Sequence, residues 1–133
     1  MLIQTRTPGW NPRSEAWMVK SILEGLARAA RPFMRGLPPL YGGSIRFARE
    51  PNHGRFEEFA LPWDTAKRGW GDCDDLIIYR LAELEAAGKK GSVACKWFGT
   101  EFHVQIRLPN GKIEDPSVRL GAPVNWPLWL LRK

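Results

Sequence analysis

Residues 71–79 read GDCDDLIIY. From Cys73 onward, apolar residues recur at helical spacing, and the pattern predicts a helix over residues 73–87. Asp72 is placed to cap the N-terminus of this helix, and Gly88 is placed to end it. Cys73 therefore falls in the first turn, where unpaired backbone N–H groups and the helix dipole favour the thiolate form of a cysteine.

A histidine and an aspartate follow on a predicted hairpin. Residues 101–108 alternate between apolar and polar, which is typical of a strand, and His103 lies on its polar side. Asn110-Gly111 predicts the hairpin turn. The returning strand brings Asp115 alongside the first, where a carboxylate can fix the tautomer of an imidazole and stabilise its protonated form. Cysteine, histidine and aspartate thus occur in an order that suits a nucleophilic triad.

These residues resemble the transglutaminase-like branch of the papain-type cysteine peptidase superfamily. The resemblance covers residues 70–121 and extends to small transglutaminase-like proteins of tailed bacteriophages and prophages, which combine a GDCDDL-type block, an HVxV-type strand and an EDPS-type ending. It implies an α+β, papain-like fold, in which an N-terminal helix and the nucleophile helix pack on a small antiparallel sheet. It also implies a catalytic triad, with Cys73 as nucleophile, His103 as general base and acid, and Asp115 as orienting carboxylate.

The resemblance favours an enzyme over a purely structural protein. The implied activity is that of a thiol protease or hydrolase, or an acyl transferase, which works through a thioester without a cofactor. A phage-encoded protein of this kind would act on a peptide or a peptidoglycan cross-link. It would reside in the host cytoplasm before assembly and could then be virion-associated. The alternative is a non-catalytic virion or tail assembly protein that retains the fold.

The surroundings of Cys73 depart from the transglutaminase pattern. Asp72 and Asp74 flank Cys73 where transglutaminases have a glutamine and an aromatic residue, and nearby negative charge disfavours a thiolate. The backbone N–H of Cys73 is one plausible oxyanion donor. The second donor stays open among three side chains: Trp63, Trp70 and Lys67. With Asp72, the two tryptophans are our candidates for the oxyanion site and the cleft.

Other cysteines, histidines and acids have simpler interpretations. Cys95 lies in a predicted strand over residues 92–98 and is expected in the core, although a Cys73–Cys95 disulfide stays open. His53 is expected in a solvated loop. Asp74 and Asp75 are most simply first-turn acids that complement the helix dipole. No Cys or His pair has zinc-site spacing, so no metal is expected.

The rest of the chain is predicted more coarsely. Residues 1–13 form an N-terminal arm, and a helix over residues 14–30 follows, which Pro32 helps to end. Its apolar stripe is predicted from Met18, Ile22, Leu26 and Ala29, and Val19 and Leu23 widen it. Residues 32–44 are rich in proline and glycine, and residues 44–49 suit a short strand. Residues 50–69 show no clear period and are interpreted as a loop that walls the substrate cleft, with Phe59 and Trp63 packed over the nucleophile helix.

Length and charge bound the class of protein. A chain of 133 residues fits one domain with a core of its own. Its net charge of +6 attracts anionic polymers, but the basic residues are scattered and no nucleic-acid motif accompanies them. We therefore do not expect direct nucleic-acid binding. Residues 1–6 turn polar at once, so neither a signal peptide nor a membrane span is expected.

The end of the chain is apolar. Residues 122–133 include Trp126, Trp129 and Leu130, which are poorly suited to a solvated tail. Either this segment folds back onto the core, or it docks on another protein such as a phage structural protein. In the second case the domain is an assembly component.

Overall fold

The computed structural model describes residues 2–5, 12–49, 57–98 and 101–122. Helices and strands are mixed in this part of the chain, which confirms the predicted α+β class. In chain order the elements are β1 (Leu2–Thr5), α1 (Pro12–Ala30), a 3-10 turn (Arg31–Phe33), β2 (Arg46–Phe47), β3 (Glu57–Ala60), α2 (Pro62–Arg68), β4 (Trp70–Gly71), α3 (Cys73–Ala86), β5 (Ser92–Phe98), β6 (Glu101–Arg107), β7 (Ile113–Glu114) and α4 (Pro116–Arg119).

The largest described sheet is antiparallel, in the order β5-β6-β7. The predicted hairpin is confirmed: Gly111 has a positive φ of 86°, and β7 returns along β6 with Glu114 opposite Ile106. This register brings the residue after β7, Asp115, level with Gln105. On its other edge β6 pairs with β5, where His103 lies opposite Lys96.

Helices α1 and α3 pack against each other and against this sheet. The stretch Leu76–Tyr79 of α3 is fully buried on consecutive positions, so this helix is surrounded by the rest of the domain. Helix α3 begins at Cys73 and ends near Gly88, as predicted. The core between the helices and the sheet is mainly aliphatic and includes Leu23, Leu81 and Ile106.

The buried stripe of α1 lies towards one side of the predicted apolar arc, which included Val19 and Leu23. It consists of four residues: Val19, Leu23, Ala27 and Ala30. Of the four residues predicted at the centre of the arc, Ala29 is exposed and Met18, Ile22 and Leu26 are half-buried. The apolar arc of this helix is wide, and its buried side includes two short side chains, Ala27 and Ala30.

Residues 57–68 are ordered into a strand and a helix, where the sequence pattern indicated a loop. Strand β3 pairs antiparallel with β1, with Leu2 opposite Ala60. Residues 2–5, which were predicted to be part of an N-terminal arm, thus belong to a two-stranded sheet. Phe59 is fully buried, and α2 packs on α3, as expected for a segment that covers this helix. His53 and residues 123–133, with Trp126, Trp129 and Leu130, lie outside the described residues.

Candidate active site

A reciprocal cap fixes the start of α3. The Asp72 carboxylate accepts from the Asp75 backbone N–H, and the Asp75 carboxylate accepts from the Asp72 backbone N–H, both at 3.2 Å. This capping box satisfies two of the unpaired donors of the first turn. The predicted role of Asp72 as N-cap is confirmed, and Cys73 is the first residue of the helix.

Asp75 does more than complement the helix dipole. Its buried carboxylate accepts from the Ala60 N–H at 2.7 Å and from the Arg68 guanidinium at 2.5 Å. Burial raises the pKa of Asp75, and these hydrogen bonds oppose that rise. Asp75 therefore joins the start of α3 to β3 and α2, while the Arg68 guanidinium stacks over the Trp70 ring at 3.8 Å.

Gly71 leaves no room for a side chain where β4 turns into α3. A Cβ at this position would lie 2.9 Å from the Asp75 Cβ and 3.3 Å from carbon atoms of Leu76 and Thr65. The absence of a side chain lets the backbone approach α3 closely enough for Asp72 to cap it. Glycine is therefore required at position 71 because a larger residue would collide with α3.

Strand β2 connects the segments that lead to Cys73 and to Asp115. It runs parallel to β4, and the Ala48 N–H donates to the Gly71 carbonyl at 2.9 Å. The Phe47 N–H donates to the Leu120 carbonyl, just beyond α4, also at 2.9 Å. Helix α4 in turn packs on α3. The approach to Cys73 and the helix that follows Asp115 are therefore tied to one short strand.

Cys73 is half-buried, and its Sγ lies 3.9 Å from a carboxylate oxygen of Asp74. Cys95 is also half-buried, with its Sγ 3.6 Å from the Ala16 carbonyl oxygen. Both cysteines are thiols, so the disulfide left open by the sequence is not formed. Burial raises the pKa of Cys95 to about 11, and the Asp74 carboxylate adds to this rise. Cys95 is therefore a poor nucleophile at neutral pH, as its interpretation as a core residue implies.

His103 and Asp115 form the central polar pair of the site. The His103 side chain is 1% exposed, and its Nε2 lies 2.8 Å from Asp115 Oδ2. Because an ionised carboxylate only accepts, Nε2 is the donor, and the neutral ring then carries its lone pair on Nδ1. The pair thus fixes one tautomer of the imidazole and leaves Nδ1 as its basic nitrogen.

The Asp115 carboxylate is held by three donors. Besides His103, the Gln105 side-chain amide donates to Oδ2 at 3.0 Å, and the Val118 N–H donates to Oδ1 at 3.3 Å. Burial raises the pKa of Asp115, but the hydrogen bonds from His103 and Gln105 outweigh it and the pKa is lowered. Asp115 is therefore an oriented, ionised carboxylate, which is what the third residue of a triad requires.

Two features of this carboxylate were not predicted from the sequence. Asp115 is the N-cap of α4, whereas we expected only a strand end. The Asp115-Pro116 pair carries the signal, because aspartate at N-cap followed by proline at N1 is typical of a helix start. Gln105 was also missed as a site residue, although it lies two positions from His103 and so shares its face of the strand.

The structure brings together His103 and Asp115, and it places Cys73 in the first turn of the helix that packs on β6. The other cleft candidates have neighbours of their own. Trp63 packs edge-on against Phe33, with ring centroids 5.9 Å apart, and Trp70 lies under Arg68. Lys67 is exposed.

Within the described ranges, no group of three or more His, Cys, Asp or Glu residues could hold a metal ion. None of the helices in that part of the chain is long and apolar enough to cross a membrane. Comparisons with protein-family models, with curated proteins and with solved structures found no match.

Proposed function

We propose that this protein is a cysteine-dependent amide-bond hydrolase or acyl transferase with a transglutaminase-like, papain-type fold. The observation that carries the proposal is the buried His103–Asp115 pair, whose geometry fixes the imidazole tautomer with Nδ1 as the base. Three further features support it: Cys73 at a helix N-terminus, the packing of that helix on β6, and the attachment of both segments to β2.

The proposed reaction proceeds through a thioester. His103 Nδ1 takes the proton of the Cys73 thiol, and the thiolate attacks the carbonyl carbon of the substrate amide. The Cys73 backbone N–H, at the helix N-terminus, stabilises the oxyanion. When the C–N bond breaks, His103 returns the proton to the leaving amine. Water then hydrolyses the thioester, or an amine takes the acyl group. The mechanism requires the Cys73 Sγ to come within hydrogen-bond reach of Nδ1, and in this structure these two atoms are not hydrogen-bonded to each other.

The local charge makes the thiolate dependent on His103. Asp74, next in the chain and close to the sulfur, disfavours a negative charge on Cys73. The helix N-terminus opposes this effect only in part, because carboxylates of the capping box already use two of its donors. His103 in its protonated form, hydrogen-bonded to Asp115, is the group that can offset Asp74. Reactivity of Cys73 is therefore expected to require an intact pair.

We propose a peptide, or the peptide cross-link of peptidoglycan, as the substrate, and a phage-encoded setting with virion or tail association. The net charge of +6 supports an anionic cell-wall polymer as the surface on which the protein works. No cofactor takes part in the proposed reaction.

The test uses cross-linked peptidoglycan peptides as the substrate and compares alanine variants of the two cysteines. We expect wild-type protein to release new amino groups and to form an acyl-enzyme that mass spectrometry locates on Cys73. Cys73→Ala should abolish both signals, whereas Cys95→Ala, the matched control, should retain them. If Cys73→Ala releases amino groups as fast as wild type, the proposal is wrong.

A further inference from the structure

We propose that Gln105 is a positioning residue of this site, which orients the Asp115 carboxylate by holding the same oxygen that binds His103. The inference rests on the proposed function, because it assigns a role within the proposed triad. Gln105 itself touches neither the thiol nor the reacting atoms in this role, and it acts through Asp115.

The geometry follows from the period of β6. His103 and Gln105 are two residues apart, so both side chains leave the same face of the strand. The His103 ring nitrogen and the Gln105 amide nitrogen reach Asp115 Oδ2 at 2.8 and 3.0 Å. The Val118 N–H holds Oδ1 at 3.3 Å. A carboxylate held on both oxygens cannot turn about its own axis without losing a hydrogen bond.

The carbonyl oxygen of the Gln105 side chain indicates that the amide is held by its hydrogen bond to Asp115. Its Oε1 is buried and has no hydrogen-bond partner among the described residues. Turning the amide over would set this oxygen against Asp115 Oδ2, and two acceptors repel each other. Burying an unpaired carbonyl oxygen is unfavourable, and an apolar side chain such as methionine would avoid it. The hydrogen bond to Asp115 is the interaction that offsets this cost.

A second donor on Oδ2 also keeps Asp115 ionised. Burial raises the pKa of Asp115, and the hydrogen bonds from His103 and Gln105 lower it. His103 on β6 is the titratable group that this carboxylate contacts. Glu114, its neighbour in the chain, binds Arg80 and Tyr41 instead. Gln105 is therefore placed to affect the titration of Asp115 directly.

The test is a carboxyl-carbon NMR titration of Asp115 in wild type and three variants. Gln105→Met has a similar volume and no donor, so we expect the pKa of Asp115 to rise. Gln105→Glu replaces the donor with a second carboxylate and should raise it further. Arg107→Met, the matched control, changes an exposed residue two positions along the same strand and should leave the pKa unchanged. An Asp115 pKa in folded Gln105→Met equal to that of wild type overturns the proposal.

A measurement on wild-type protein keeps the proposal falsifiable if both Gln105 variants fail to fold. We expect one Gln105 side-chain N–H proton to exchange slowly and to shift as Asp115 titrates. Exchange of both protons at the rate of an exposed amide overturns the proposal. Neither readout involves the thiol, so an inert Cys73 would refute the proposed function while these titrations still decide the contact between Gln105 and Asp115.

Discussion

The Asp115 carboxylate joins three parts of the chain: the His103 ring, the Gln105 amide and the backbone of α4 at Val118. Its position at the end of a hairpin was predictable, since Asn110-Gly111 and the strand period set the register. Its second donor was not, because a glutamine on the polar side of a strand is indistinguishable in sequence from a solvated one. Side-chain partners of this kind are determined by packing.

Asp115 should make stability depend on pH in the acid range. Its folded-state pKa is lowered, so the ionised form contributes stability that is present above the unfolded value of about 3.9 and is lost as the pH falls through the folded pKa. We expect Asp115→Asn to lower the free energy of unfolding at pH 7 by about 1–2 kcal/mol. Urea unfolding between pH 7 and pH 3 checks this: the free energy of unfolding of Asp115→Asn should fall less with decreasing pH than that of wild type. An equal acid slope in the two proteins would show that Asp115 does not contribute, since the Glu114 contribution is present in both.

Substitution by alanine should destabilise the protein at Gly71 and stabilise it at Gly25. Gly71→Ala places a Cβ against the Asp75 Cβ and should cost about 1–3 kcal/mol, as overpacking does in a tight core. Gly25 lies inside α1, and a Cβ added there would meet no neighbouring atom within 4 Å, so Gly25→Ala should stabilise by about 0.5–1 kcal/mol. Thermal unfolding checks both. A stabilising Gly71→Ala would mean that the β4–α3 junction is looser than described.

Elements with a strong period or a clear turn signal were predictable, whereas β3, α2 and α4 were not. Helix α3 and strands β5 and β6 follow from their spacing, and the Asn-Gly turn defines the hairpin. Strand β3 and helices α2 and α4 have four to seven residues each, which is too few to establish a period. In α1 the centre of the buried stripe was misplaced, although Val19 and Leu23 were predicted on the apolar arc, because that arc is wider than the buried stripe.

The capping box at the start of α3 should be measurable by itself. Asp72→Ala removes the side-chain acceptor of the cap and should cost about 1 kcal/mol, whereas Asp72→Ser keeps a cap acceptor and should cost less. Urea unfolding of the two variants gives the comparison. Equal losses for alanine and serine would indicate that the cap is not what Asp72 contributes.

The domain is also held together by a charge network away from the sulfur. Glu114 on β7 accepts from Tyr41 Oη at 2.6 Å and from Arg80 Nε, on α3, at 2.7 Å. The Arg119 guanidinium of α4 stacks over the Tyr41 ring at 3.9 Å. Burial raises the pKa of Glu114, but the hydrogen bonds from Arg80 and Tyr41 outweigh it and the pKa is lowered. The network thereby fastens the hairpin that carries Asp115 to the helix that carries Cys73.

A double-mutant cycle tests this connection. Arg80→Met leaves a largely buried carboxylate without its guanidinium and should cost about 2–4 kcal/mol, and Glu114→Gln should relieve part of that loss. We expect a coupling energy of about 1–2 kcal/mol for this pair. The control cycle is Lys20–Glu24 on α1, where Lys20 is 41% exposed and the coupling should be about 0.3–0.5 kcal/mol. If the coupling energy of Arg80–Glu114 is no larger than that of Lys20–Glu24, this ion pair does not join the hairpin to α3.

The central claim is that Cys73 and His103 act as one unit, and the most direct measurement is the pH dependence of Cys73 alkylation by iodoacetamide. Cys95→Ala removes the competing thiol, and the same background with His103→Ala is the comparison. We predict a rate profile whose midpoint lies well below the free-thiol value of about 8.5 and moves upward when His103 is lost. A Cys73 that is inert, or that titrates like a free cysteine with or without His103, would contradict the account.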